Sequence, residues 1–150
     1  MTKVSIITEC SIENLNGNVA RPRWEYNAIK KNGFNDIQLL TNFKKKDEEK
    51  IEGSLIHAQQ LSGRLLERTN FITDIHGLEY FHSDNLARGF SIYSWKKYAF
   101  RFKSHYWKKI EERIFQKSLH LICAGESIFE RVQKIQNATL VRNSIILEEF

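Results

Sequence analysis

Short β-branched and apolar runs alternate along this chain with stretches whose apolar residues recur at helical spacing. Lys3–Thr8, Asp36–Thr41, Ser54–Ala58, Phe71–Ile75, Leu119–Ala124 and Ala138–Val141 read as six strands. Between the first two, Pro22 suits the first turn of a helix. Trp24, Ala28 and Ile29 continue that helix at helical spacing, and Gly33 is placed to cap its end. Leu61, Leu65 and Leu66 give a second helix a core face. Ile128, Val132 and Ile135 mark a short helix with Ser127 as its cap. The clearest periodicity lies in Trp95, Tyr98, Ala99, Phe102, Tyr106 and Ile110, which share about a third of a helical wheel and predict a long amphipathic helix from Trp95 to Gln116. Glu9–Asn18 carries loop chemistry, Lys44–Lys50 is a solvated charge run, and Glu79–Ser94 reads as irregular around Gly89.

Strands alternating with helices imply a Rossmann-like parallel sheet with helices on both faces, an α/β fold. In such sheets the working groups gather in loops beyond the C-terminal strand ends. That directs attention to Glu9–Asn18, His57–Gln60, His76–Tyr80 and Cys123–Ser127.

The 150 residues suit a single domain, 1–150. The 41% of hydrophobic residues suffices for a core of ordinary size. Cys10 and Cys123 lack metal-type spacing, Val4–Ile7 is too short for a signal-peptide core, and no apolar run reaches the length of a membrane span. A cytoplasmic protein with reduced thiols is the expectation. The charge is uneven. Trp95–Lys117 holds eight basic and two acidic residues, a local +6, whereas the rest of the chain sums to −1.

Two segments carry candidate chemistry. The loop Asn14-Leu-Asn-Gly-Asn18 leads from a strand into a helix, where backbone N–H groups and the helix dipole favour an anion, although a plain glycine turn has the same composition. His76 stands at the end of an apolar strand and is followed by Gly77. An imidazole there can exchange hydrogen bonds or a proton near neutral pH, or serve as a structural residue. His57 ends another strand. His57, His76, His82, His105 and His120 show no helical pairing with a carboxylate, so no metal site is expected. No acidic pair has a spacing that argues for acid–base work. The basic aromatic helix has three readings. It is a core-packed helix with a solvated basic face, or a membrane-surface helix, or a nucleic-acid-binding element; the last has the least support, because the remaining chain is slightly acidic. In the membrane reading Lys97, Arg101 and Lys108 lie opposite the apolar stripe, and Phe100 and Trp107 flank it.

Taken in order, these pieces resemble the N-terminal, acceptor-side domain of the GT-B glycosyltransferases, in particular the large retaining group 1 (family 4 type). That family opens with a strand and a Gly-Gly turn, and its first helix closes on Lys/Arg-Gly-His. Here Asn16-Gly17 and Lys30-Lys31-Asn32-Gly33-Phe34 occupy those places. The family's His-Ala-His reads His57-Ala58-Gln59, its Val-His-Gly reads Ile75-His76-Gly77, and its Val-Ser-Glu reads Ala124-Gly125-Glu126. Its closing Pro-Asn-Gly-Val-Asp reads Arg142-Asn143-Ser144-Ile145-Ile146, with Phe150 four residues on.

The resemblance implies that Asn16 and Gly17 lie against a nucleotide sugar's diphosphate and that His76 faces the transferred sugar. It implies an acceptor pocket from Glu9, Asn18, His57 and Gln59. It implies no cofactor, because the donor nucleotide sugar is held mainly by a C-terminal domain. The chain is then expected to be the front half of a two-domain transferase, partnered by that domain in cis or trans and inactive alone. Its acceptor would be a glycan or lipid-linked glycan, with a peripheral contact at the inner face of the cell membrane. The alternatives are a non-catalytic α/β partner-binding module and a nucleic-acid-binding accessory protein.

Overall fold

The structure is a computed structural model that describes residues 3–11 and 17–141, with the backbone alone for 17–20. The order of elements is β1 (Lys3–Ile7), α1 (Gly17–Lys31), β2 (Ile37–Leu40), a 3₁₀ helix (Lys45–Ile51), β3 (Ser54–Gln59), a second 3₁₀ helix (Gln60–Leu65), β4 (Phe71–Ile75), α2 (Glu79–Arg88), α3 (Trp95–Lys117), β5 (Ser118–Cys123), α4 (Glu126–Val132) and β6 (Ala138–Leu140). The six strands form one sheet in the order β2-β1-β3-β4-β5-β6. Every pairing is parallel. The chain is thus α/β with a Rossmann-like parallel sheet flanked by helices, as the alternating pattern predicts. Strand order reverses between β1 and β3, and a crevice opens at such a reversal beyond the C-terminal strand ends.

The core is the apolar content of the central strands. Ile7, Ile56, Ala58, Phe71, Leu121 and Cys123 are buried together with Leu66 and with Ile114 and Phe115 of α3. Gly33 ends α1 as expected. It adopts φ +90°, Phe34 N–H donates to Ile29 O at 3.3 Å and Gly33 N–H to Lys30 O at 3.1 Å, the paired bonds of a Schellman cap.

Several local expectations are corrected. α1 starts at Gly17, so Pro22 lies inside the helix rather than in its first turn. Trp24 and Ala28 of α1 face outward, while Pro22 is buried. The predicted second helix is only a 3₁₀ helix, centred on Gly63. A Cβ at Gly63 would meet the Phe71 ring at 2.8 Å, so glycine allows this segment to lie on the sheet. The cap of α4 is Gly125, and Ser127 falls within the helix.

Glu79–Arg88 is helical rather than irregular. Its His-Ser-Asp-Asn centre has weak intrinsic helix preference, and the missing stabilisation comes from α3. The Glu111 carboxylate accepts the N–H of Glu79 at 2.7 Å and of Tyr80 at 3.3 Å, capping the helix start. Ser104 Oγ donates to Tyr80 O at 2.8 Å, and Ser83 and Ala87 are small and buried.

The largest correction concerns α3. Its 23 residues extend about 35 Å, whereas strands of five or six residues span about 17–20 Å. The helix therefore overhangs the sheet. Only its C-terminal part, with Glu111, Ile114 and Phe115, is fully buried. Its N-terminal part packs against α2, and the residues turned inward there are Phe100, Ser104 and Trp107. Phe100 stacks on Phe90 at 5.6 Å. The stripe Trp95, Tyr98, Phe102 and Tyr106, which the core-packed reading of this helix would bury, is exposed. Of the residues expected to meet a membrane, Lys97, Phe100 and Trp107 are half-buried, and only Arg101 and Lys108 are exposed.

Candidate functional site

Side chains alternate between faces along a strand. Gln59 pairs in register with Asp74, so His57 and Gln59 of β3 share one face with Asp74 of β4 and with His76 just beyond it. Arg21 and Glu25 of α1, one helical turn apart, lie over that face and complete a polar network.

Arg21 Nε is the hub. It donates to Asp74 Oδ2 at 2.8 Å and to Glu25 Oε1 at 2.9 Å. Gln59 Nε2 donates to Glu25 Oε2 at 2.7 Å, which turns Gln59 Oε1 toward His76 Nε2, 3.0 Å away. His76 Nε2 also lies 3.4 Å from Asp74 Oδ2. Both neighbours of that nitrogen are acceptors, so it carries the proton. In the neutral ring Nδ1 is then an acceptor. His57 Nδ1 stands 3.7 Å from Glu25 Oε2. Its Nε2, like Asp74 Oδ1, is buried without a hydrogen-bond partner among the described residues.

Burial controls the charges. Asp74 is 0% exposed, and this burial works against its charge. The bonds from His76 and Glu25 and the charges of His76 and Arg21 outweigh it and hold Asp74 below the usual carboxylate range. Glu25 moves the other way. Burial first, then Asp74's hydrogen bond and charge, push it up to about 8 despite Arg21. At neutral pH Glu25 therefore holds the proton of the pair and Asp74 the negative charge. Burial pushes His57 down, so it is neutral. Burial and the Asp74 charge push the Cys123 thiol up to about 11, which leaves it inert as a nucleophile.

The network borders a cleft of about 200 Å³ lined by Thr8, Glu9 and Cys10 after β1, by Gln59 at the end of β3 and Gln60–Ser62 after it, and by Glu79. It lies at the β1/β3 reversal. Ser62 Oγ accepts the Glu9 N–H at 3.0 Å, and Arg64 grips the Glu9 carboxylate with bonds of 3.1 and 2.6 Å. Glu9, Gln59 and His76 thus come together at the C-terminal end of the sheet, whereas His57, expected at a strand end, lies inside β3 paired with Ile6 and Ile72 and joins the network from there. Gly17 opens α1 at the same end; Asn16 and the Asn18 side chain lie outside the described residues, as does the closing motif Arg142–Phe150.

The strand-end reading missed Arg21, Glu25 and Asp74. Asp74 had a signal: it is a charge in an apolar strand, two positions from His76. Arg21 and Glu25 are four apart on α1, a common surface pair, and nothing local marks them as buried. No sequence spacing pairs Glu25 with Asp74; the fold does. Glu25, His57 and Asp74 offer ligand atoms within 4.8 Å of one another. They form a ligand set that the histidine spacings did not foreshadow. The Arg21 guanidinium, bonded to both carboxylates, already supplies positive charge there.

No family model, curated protein or solved structure matches this chain at a significant level. The functional reading therefore rests on the sheet edge itself. No helix among the described residues is long and apolar enough to cross a membrane.

Proposed function

We propose that this chain is the acceptor-side domain of a two-domain sugar transferase. It would work with a donor-binding domain in cis or trans and take a hexose from a nucleotide sugar to a glycan or lipid-linked glycan. The observation that carries the reading is His76, held by Asp74 and by Gln59, which itself lines the cleft at the strand reversal.

In this reading the cleft takes the acceptor, whose hydroxyls meet the polar groups of Thr8, Glu9, Gln60 and Ser62 and whose ring carbons meet Leu61 and Cys10. His76 faces the transferred sugar. Its Nε2–H is committed to Gln59 and Asp74, so Nδ1 accepts a sugar hydroxyl proton and fixes the ring's orientation. Gln59 and Asp74 are positioning residues that fix the tautomer. Their partners Arg21 and Glu25 keep the Asp74 charge in place without a net charge at the sheet edge. The first turn of α1 at Gly17 meets the donor's diphosphate, where the backbone N–H groups and helix dipole favour negative charge.

The test is transfer of labelled sugar from nucleotide-sugar donors to glycan and lipid acceptors, in a membrane-containing lysate of the native cells lacking this chain. Adding the wild-type chain raises transfer, and His76→Ala fails to raise it while keeping a wild-type melting temperature. Equal transfer with His76→Ala, or none with the wild type although a donor-binding domain is present in the lysate, overturns the reading. The second result favours the non-catalytic partner-binding module, which the exposed face of α3 also suits.

A further inference from the structure

The outward face of α3 is unusual for a surface helix. Tyr93 is 91% exposed, Trp95 73% and Phe102 76%, and Ile92, Tyr98 and Tyr106 are exposed beside them. Trp95, Tyr98, Phe102 and Tyr106 fall on one side of the helix. Singly exposed aromatics need no explanation, but a contiguous stripe of them marks a surface meant to be covered. The sheet does not cover it, because α3 overhangs the sheet and turns its opposite side to α2.

Charge identifies what covers it. Six basic residues and no acidic one lie between Tyr93 and Ile110. Lys103 and Arg101 flank the stripe on its two sides, and Lys109 and Arg113 continue it toward the C-terminus. At Tyr106 and Ile110 the stripe runs into a groove of about 550 Å³ lined by Arg64, Arg113 and Lys117, in which the carboxylate of Glu67 is paired with Lys45. Arg113 has no acidic partner among the described residues. A second copy of the chain would bring two such basic faces together and repel. Trp, Tyr and Phe set among Lys and Arg are instead the side chains that settle at the boundary between anionic headgroups and acyl chains.

We propose that the Tyr93–Arg113 face docks the protein flat on an anionic phospholipid bilayer. The stripe Trp95, Tyr98, Phe102 and Tyr106 enters the interface, and Arg113 in the groove receives a headgroup phosphate. The docking residues are therefore not the set the sequence pattern suggests, because Phe100 stacks on Phe90 and Trp107 lies against Arg64, and both are half-buried. The inference stands on exposure and charge and does not depend on sugar transfer.

The test is co-sedimentation of the full chain with vesicles of phosphatidylcholine alone or mixed with phosphatidylglycerol, at low and high salt, with brominated lipid as a depth probe. Binding to the mixed vesicles, weakened by salt, and quenching of Trp95 in a Trp24→Phe/Trp107→Phe background are the expected results. Trp95→Ser/Phe102→Ser and Lys103→Glu/Arg113→Glu each weaken binding about tenfold or more. These side chains are exposed, so circular dichroism of both variants remains that of the wild type. Absence of binding to the mixed vesicles, equal binding to neutral ones, or undiminished binding of both variants overturns the proposal. A dimer or an acidic-protein complex that Phe102→Ser dissolves, found without vesicle binding, assigns the face to a protein instead.

Discussion

The C-terminal edge of the sheet and the outer face of α3 invert the usual distribution of side chains. At the sheet edge, Arg21, Glu25, His57, Asp74 and His76 are charged or ionisable and largely buried. On α3, Trp95, Tyr98, Phe102 and Tyr106 are apolar and exposed. Neither arrangement lowers the folding free energy as an apolar core and a charged surface would. Placing polarity inside and aromatics outside makes sense when each region meets something other than water. In the two proposals made above, the first faces a ligand and the second a membrane surface.

That contrast can be broken most sharply at Asp74. Removing its carboxylate leaves Arg21 buried without its main counter-charge. Asp74→Ala is expected to cost about 3–5 kcal/mol in urea unfolding; a cost under about 1 kcal/mol would show that the network is solvated and loosely held.

Glu25 gives the next largest effect, read through pH. Its folded pKa of about 8 lies above the ordinary 4.5. Its contribution is therefore fully present below about 4.5 and is lost as pH rises through about 8. Stability should decline across that window by up to a few kcal/mol, and Glu25→Gln should flatten the decline. An unchanged slope in the variant would place the proton elsewhere.

Gly63→Ala presses a methyl group against the Phe71 ring and is expected to cost about 1–3 kcal/mol, measured as a shift in the urea midpoint. The smallest effect belongs to the exposed stripe. Phe102→Ser and Trp95→Ser should each change stability by less than about 0.5 kcal/mol, despite deleting large aromatic rings. A loss as large as that of Asp74→Ala would mean that the face is packed and not free to dock.

The same contrast explains what could be read from the sequence. The strands are legible because Val4–Ile7, Phe71–Ile75 and Leu119–Cys123 are β-branched and apolar runs in a parallel sheet whose central strands are largely buried, and His76 and Gln59 are legible from their places at strand ends. α3 is legible as a helix, but its orientation is not. Hydrophobic periodicity finds the apolar stripe but leaves open whether the core or an outside surface covers it, and only the length mismatch with the sheet shows that the stripe overhangs it. α2 is invisible locally because its cap comes from Glu111, distant in sequence. Arg21 and Glu25 read as a surface pair until the fold sets them over Asp74. In each case the deciding partner lies on another element, beyond any window of the sequence.

The central claim, that the strand ends around His76 form a sugar-binding site, is tested most directly by amide NMR of the full chain titrated with nucleotide sugars and glycan acceptors. Shifts concentrated at Thr8–Cys10, Gln59–Ser62 and His76–Glu79, with α3 unaffected, are the predicted result. Shifts confined to α3 or β6, or none at the strand ends with any sugar, would contradict it.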